Sequence, residues 1–170
     1  MEGFLNEIGS YYVQIYGPLS QEKLFSCARD YSYFLRILKK YKKENQVKVF
    51  AFCLLPGSAH LVLQEFNLAS IKLFLDQLQN GYEKYLRFRL GRAMSWPKRR
   101  RRIRQIREDA RLFEYIRSLE FKPVFADITR NPVGYRWSSC SYRVLGNSDS
   151  ILDKEAFFSP TLTLPARGRG

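Results

Sequence analysis

Several common sequence patterns are missing from this chain of 170 residues, and each absence excludes a class of protein. No run approaches the roughly 18 consecutive apolar residues that a membrane-spanning helix needs, so we expect no membrane protein. The first residues, MEGFLNEIGS, contain neither the basic nor the apolar segment of a secretory signal. The 3 cysteines are far apart and odd in number, which argues against a disulfide framework or a cysteine-rich zinc site. We therefore expect a protein of the reducing cytoplasm.

Acidic residues are scarce, and one long segment contains none. The chain carries 29 lysines and arginines against 16 aspartates and glutamates, a net charge of +13. The alternative is that the positive charge serves solubility alone, but such a surface would mix both signs along the chain. The uninterrupted basic segment instead favours a polyanionic partner, nucleic acid rather than a membrane. Its members, which we expect to contact phosphates, are Arg87, Arg89, Arg92, Lys98, Arg99, Arg100, Arg101, Arg102, Arg104 and Arg107, preceded by Lys84.

Apolar residues are plentiful enough for one compact domain. They make up 45% of the chain, and aromatic residues make up 15%. A chain of this length suits a single domain, which we place at residues 1–146, with a C-terminal extension at 147–170 whose tail we expect to be flexible.

The apolar periodicity predicts alternating strands and helices. Aromatic and β-branched runs bounded by glycine and proline are typical of strands, and three- to four-residue spacing is typical of helices. Ser20 is the expected cap of the first helix, and Asn67 or Ser70 that of the second. The arginine-rich stretch is predicted as a strand with a solvated face, with a loop as the alternative. The predicted strands are 11–16, 47–55, 59–66 and 98–106, and the predicted helices are 21–44, one that ends before Gly91, and 109–121.

This order of elements predicts an α/β (α+β) fold. Strand, helix, strand, strand, helix, strand is the ferredoxin-like split β-α-β arrangement, an antiparallel sheet with helices on one face. An extra C-terminal helix and an irregular tail follow. Because this fold hosts many functions, the function has to be inferred from particular residues.

Five segments of the chain occur in an order that matches one known family. The segments are 51–63 (AFCLLPGSAHLVL), 74–92 (FLDQLQNGYEKYLRFRLGR), 96–99 (WPKR), 112–124 (LFEYIRSLEFKPV) and 135–142 (YRWSSCSY). They resemble the REP-associated tyrosine transposases, a branch of the single-tyrosine HUH transposases, and the match extends from about residue 11 to 146. In that family an Asn-His-x-His run opens a strand after Met-Pro, and a tyrosine lies on a helix that ends in Asn-Pro-Val.

The resemblance implies a metal-dependent activity on DNA. Family members hold a divalent ion, Mg or Mn, with two histidines and an Asn or Gln, and a tyrosine attacks a phosphodiester of single-stranded, often hairpin, DNA. Two histidines at i and i+2 of a strand face the same side, so both can reach one ion. Related enzymes often dimerise, so a homodimer is one expectation.

The catalytic positions of the family are degenerate in this chain. Ser58 stands where the first histidine is expected, which leaves His60 as the chain's 1 histidine. Ser118 aligns with the nucleophilic tyrosine, and Lys122 aligns with the metal-binding asparagine. A hydroxyl is a poor substitute for an imidazole, and an ammonium repels a cation. We therefore predict no metal site, with His60 as its remnant, and no cofactor.

Tyr115, one helical turn before Ser118, is the residue that could replace the nucleophile. A shift of three residues moves a hydroxyl by about 4.5 Å along the helix axis, while catalysis is sensitive to about 1 Å. The sequence thus predicts a transposase-like protein that binds single-stranded or hairpin DNA without nicking it. Two alternatives remain: an active single-tyrosine nickase that uses Tyr115, and a domesticated RNA-binding or scaffold module.

Overall fold

A computed structural model of the chain describes residues 8–18, 22–97, 100–146 and 151–153. The elements follow the predicted order, with short helices added near the C-terminus. The strands are β1 (Gly9–Tyr16), β2 (Lys48–Leu55), β3 (Ser58–Glu65) and β4 (Arg101–Ile106), and the helices are α1 (Ala28–Glu44), α2 (Leu68–Leu90), α3 (Asp109–Glu120), α4 (Lys122–Phe125) and α5 (Ser139–Val144).

The four strands form one antiparallel sheet in the order β2-β3-β1-β4. β2 and β3 are joined by the tight turn at Pro56 and Gly57, and β4 lies at the edge next to β1. This is the split β-α-β arrangement that the sequence predicts. In the described part of the arginine-rich stretch, Arg101–Ile106 is a strand rather than a loop.

The sheet has a helical layer on each face, because apolar residues occupy both sides of its central strands. Alternate residues of β1 and β3, such as Val13 and Leu61, pack with α1 and α2 in the larger core. Val62, Ile106 and Leu112 pack on the opposite face, where α3 covers part of the sheet. The prediction of helices on one face is therefore correct for α1 and α2, while the extra helix α3 lies on the other.

The first helix begins later than predicted. α1 starts at Ala28, and the predicted cap, Ser20, lies outside the described residues together with Gln21. The preceding segment contributes Leu24 and Phe25 to the core in a non-helical conformation, and the Phe25 N–H donates to the Pro56 carbonyl at 3.0 Å. Packing against the hairpin thus overrides the helical spacing of this segment.

The remaining helix boundaries follow local chemistry. The Asn67 side chain caps α2 by accepting from the Ser70 N–H at 2.9 Å, and Gly91 ends the helix with a left-handed φ of 62°. Pro123 terminates α3, and one further turn, α4, follows. The C-terminal part is less irregular than predicted, because Ser138 caps the short helix α5. Within the described residues, no helix has the length and apolar character needed to cross a bilayer.

Candidate nucleic-acid interface

One face of the sheet brings together the single histidine and the basic edge strand. The strand register places Cys53, His60, Gln14 and Arg102 side by side across β2, β3, β1 and β4. Because side chains alternate along a strand, these four residues point to the face that α3 covers in part. We call this surface the His60 face; it also carries Ser58, Tyr12, Tyr16 and Arg104.

His60 is buried, with 2% of its surface exposed, and both ring nitrogens are hydrogen-bonded to hydroxyl groups. Its Nδ1 lies 2.6 Å from the Tyr12 hydroxyl, and its Nε2 lies 2.8 Å from Ser58 Oγ. A neutral imidazole uses one nitrogen as donor and the other as acceptor, which satisfies both contacts. The side chain is thereby locked between β1 and its own strand.

Electrostatics keep this histidine neutral. Burial lowers the pKa of His60 to about 3, and the Lys122 ammonium adds to that effect. Burial likewise raises the pKa of Tyr12 to about 12, so its phenol retains its proton. Lys122 is close enough to act on the pKa of Cys53 as well, in the lowering direction, although burial prevails and raises that pKa to about 12. The positive charge of Lys122 therefore acts on two residues of the His60 face.

These residues do not fit the divalent ion that the family resemblance implies. Metal ligation needs a free nitrogen lone pair, while both nitrogens of His60 are engaged by hydroxyls. A lysine ammonium beside them repels a cation. In the part of the chain that the structure describes, no three His, Cys, Asp or Glu side chains form a group that could hold a metal ion.

The degenerate catalytic positions are only partly brought together. Ser58 is hydrogen-bonded to His60 and the Lys122 charge acts on the His60 pKa, while Ser118 is exposed on α3. Tyr115 instead faces the site: its ring lies 5.5 Å from that of Tyr12, whose ring is 6.1 Å from His60. Tyr12 thus contacts both rings.

Three of the predicted phosphate contacts are exposed on or directly after the edge strand: Arg102, Arg104 and Arg107. The Arg102 guanidinium lies 5.8 Å from the centre of the Tyr16 ring. Hydrogen bonding and electrostatic attraction to the Tyr115 side chain raise the pKa of Arg104. Arginines presented in this way can bind phosphates and stack on bases.

The other predicted contacts that the structure describes do not lie on this surface, apart from Arg100, whose carbonyl accepts from the Tyr16 N–H at 2.9 Å. Arg101 points to the opposite face, where it lies 2.7 Å from Asp76 and 2.8 Å from Gln79 on α2. Arg89 Nε is 2.7 Å from the buried Asp30, and Arg92 pairs with Glu22 at 2.9 Å. Arg87 is exposed at the end of α2 and pairs with Glu83, and Arg100 is half-buried. Lys98 and Arg99 lie outside the described residues.

Tyr12 is the site residue that sequence reasoning missed. Because side chains alternate along a strand, the segment YYVQIY predicts that Tyr12 points to the other face of the sheet from Tyr11, Val13 and Ile15. The sequence does not predict that Tyr12 contacts His60, because the register between β1 and β3 decides which side chains are neighbours.

Comparison with known proteins supports the fold. A scan against protein-family models gave no match, and a search of curated proteins gave no significant match. Among solved structures, a REP-associated tyrosine transposase bound to a REP hairpin matches with a TM-score of 0.64 and 15% identity, over 81% of this chain and 79% of that one. A crystal structure of a protein from Deinococcus radiodurans R1, described as a transposase, matches with a TM-score of 0.47 and 16% identity, over 70% of this chain and 95% of that one. The resemblance seen in the sequence motifs is therefore confirmed at the level of the fold: this chain has the fold of a REP-associated tyrosine transposase.

Proposed function

We propose that this protein binds single-stranded or hairpin DNA on the His60 face and does not nick it. The observation that carries the proposal is that exposed arginines of β4 lie on the same face of the sheet as His60. The matching transposase structure contains a REP hairpin, which favours hairpin DNA as the form to test first.

The charge of this face suits a phosphate backbone. Arg102 and Arg104 are exposed on this face, Arg107 is exposed directly after β4, and the positive charge of Lys122 acts on the histidine of the same face. Tyr16 and Tyr115 add aromatic rings beside these cations. Proteins that bind single-stranded nucleic acid without strong sequence preference combine cationic side chains with aromatic rings in this way.

The absence of cutting follows from the chemistry of the same residues. A metal-assisted nickase needs an ion to polarise the scissile phosphate. In this chain the charge of a lysine ammonium acts on the imidazole, and hydroxyls engage both imidazole nitrogens. Lys122 can contact a phosphate, yet it cannot replace the ligand set.

Fluorescence anisotropy with labelled single-stranded and hairpin oligonucleotides at several salt concentrations tests binding. If about six phosphates are neutralised, log K should fall with log salt at a slope near −4 on single strands. Replacing Arg102 and Arg104 by Ala should weaken binding and reduce the slope by about 1.4, since each phosphate contributes about 0.7. The control changes two exposed lysines elsewhere, Lys43→Ala with Lys72→Ala, for the same loss of charge. A flat salt response, or equal effects of the two double variants, contradicts the proposal, and RNA of the same sequence that binds better than DNA favours the RNA-binding alternative.

A second candidate is an active nickase that uses Tyr115. The position of Tyr115 beside Tyr12 and Arg104 on the His60 face favours it. In such a reaction the phenol oxygen forms a bond to phosphorus, the phenol proton is lost, and the departing 3′ oxygen gains a proton. Incubation with hairpin DNA and Mg²⁺ or Mn²⁺ should give no covalent adduct under the leading proposal. An adduct that disappears in Tyr115→Phe establishes the nickase instead.

A further inference from the structure

A groove between α1 and α2 lies on the other side of the sheet from the His60 face. It encloses about 780 Å³, which is within the range of roughly 300–1,000 Å³ of ligand sites. Its walls combine positive charge with aromatic rings. The residues that matter for its chemistry are Arg29, Tyr33, Arg36, Lys84, Tyr85 and Phe88.

The floor of the groove is a stacked pair of tyrosines. The rings of Tyr33 and Tyr85 are 4.0 Å apart and 12° from parallel, and Arg36 lies 4.6 Å from the centre of the Tyr33 ring. The Tyr85 hydroxyl donates to the buried Asp30 at 2.8 Å, which holds the pair in place. The aromatic floor is therefore ordered before any ligand arrives, and little entropy is lost when a ligand binds.

The rim of the groove carries an apolar ring and unpaired cations. Phe88 on the last turns of α2 is 88% exposed, an extreme value for a phenylalanine. Arg29 and Lys84 are exposed and, among the described residues, neither pairs with a carboxylate. The nearby Asp30 is already paired with Arg89 at 2.7 Å, so the groove has an excess of positive charge.

We propose that this groove is a second contact for single-stranded DNA: Phe88 stacks on a base, while Arg29 and Lys84 bind the flanking phosphates. The combination of a cationic groove with exposed aromatic rings is the arrangement by which proteins bind single strands without sequence preference. The inference rests on the proposed function, and adds a surface on the opposite side of the molecule, to which a strand longer than the hairpin could extend.

Charge distinguishes DNA from the other occupants of such a groove. A second copy of this chain, which carries a net charge of +13, would be repelled by these cations. An apolar helix would cover Phe88 but would leave Arg29 and Lys84 without counter-charges. A polyanion with flat, stackable bases satisfies both the ring and the cations.

Binding of the full-length protein to a fluorescein-labelled dT20 strand tests the groove. Phe88→Ala should weaken binding about tenfold, which corresponds to about 1.4 kcal/mol, within the range of one base stacked on an aromatic ring. Arg29→Ala with Lys84→Ala should weaken it further and lower the salt slope. Phe66→Ala, at another exposed phenylalanine, and Lys43→Ala with Lys72→Ala should bind as the unaltered protein does. A strand containing 5-iododeoxyuridine should crosslink to the peptide that contains Phe88.

The outcomes separate this inference from the proposed function. If the groove variants bind normally while Arg102→Ala with Arg104→Ala weakens binding, the groove inference is overturned and the proposed function stands. If the groove variants weaken binding while the β4 variant does not, the groove is the DNA site and the assignment to the His60 face is overturned. If the unaltered protein binds no oligonucleotide at low salt, both are overturned.

Discussion

At the scale of the residue, His60 is a buried imidazole held by neighbours on two strands. Tyr12 and Ser58 engage its two nitrogens, and Lys122 adds a positive charge near it. Burial and the Lys122 charge favour the neutral ring, because a buried imidazolium would lack a compensating negative charge. The hydrogen bonds that stabilise the ring also occupy the two nitrogens through which it would bind a metal ion.

Folding stability should therefore depend on pH through this histidine. Its pKa is about 3 in the folded chain against 6.5 as the ordinary value, so the unfolded chain binds a proton that the folded chain does not. The contribution is intact above about pH 6.5 and decreases as the pH falls towards 3. Between pH 7.5 and 5.5 the unfolding free energy should drop by about 1.4 kcal/mol in urea titrations, before most carboxylates titrate. His60→Gln should show a flatter dependence.

Because His60 is the chain's 1 histidine, its imidazole signals in an NMR titration are unambiguous. We expect no protonation of the His60 imidazole in the folded protein between pH 8 and 5. A titration midpoint near 6.5 would contradict both the buried placement and the pH dependence of stability.

Metal binding should require two substitutions at once. Ser58→His supplies the second imidazole, and Lys122→Asn removes the opposing charge and adds an amide oxygen, so only the double variant should bind Mn²⁺ in isothermal titration calorimetry. Each single variant keeps one of the obstacles and should bind none. Equal Mn²⁺ binding by the unaltered protein and the double variant would show that neither residue is an obstacle.

At the scale of the element, β4 is an edge strand whose two faces do different things. Arg101 and Ile103 point to the α1 and α2 side, where Arg101 is 11% exposed in an ion pair with Asp76. Arg102 and Arg104 point to the His60 face and are exposed. Because side chains alternate along a strand, neighbouring arginines have different roles. Arg101 stabilises the fold, while Arg102 and Arg104 face solvent.

Substitution of the two neighbouring arginines should have opposite consequences. Arg101→Ala removes the donor to the buried Gln79 side-chain oxygen and one ion-pair partner of Asp76, and should lower the unfolding free energy by about 1–3 kcal/mol. Arg102→Ala should change stability by less than about 0.5 kcal/mol, but should weaken DNA binding in the anisotropy assay. Urea denaturation and oligonucleotide titration of both variants check this. Equal stability losses would mean that β4 pairs in a different register.

At the scale of the whole molecule, residues of the C-terminal extension close one end of the structure. Ile151 is 2% exposed in the main core, and Asp153 lies 2.6 Å from Lys42 of α1. The Asp153 carboxylate also accepts from the Val49 N–H of β2 at 2.8 Å. Residues 151–153 thus join α1 to β2 although they fall after the predicted domain boundary at 146.

Asp153→Ala should destabilise the domain by about 1–3 kcal/mol, because it removes the carboxylate partner of the buried Lys42. Urea denaturation measures the effect, and Glu114→Ala, an exposed position on α3, is the control. A loss no larger than that of the control would show that the Asp153 contacts contribute nothing to stability.

The order of the elements, the α/β class and the resemblance to a transposase family follow from the sequence by itself. They depend on local signals that any stretch of chain carries: the periods of strands and helices, the asparagine cap of α2, the glycine at its end, and motifs in a fixed order. The basic segment and its polyanionic partner are expected on the same basis, because net charge does not depend on folding.

The tertiary structure decided which of those residues act together. Register placed Tyr12 against His60 and sent Arg101 and Arg102 to opposite faces, and packing removed the first turns of the predicted first helix. It also brought Tyr33 to Tyr85 across two helices that are far apart in sequence. Such contacts arise from pairing and burial between distant segments, and no local period or propensity encodes the partner.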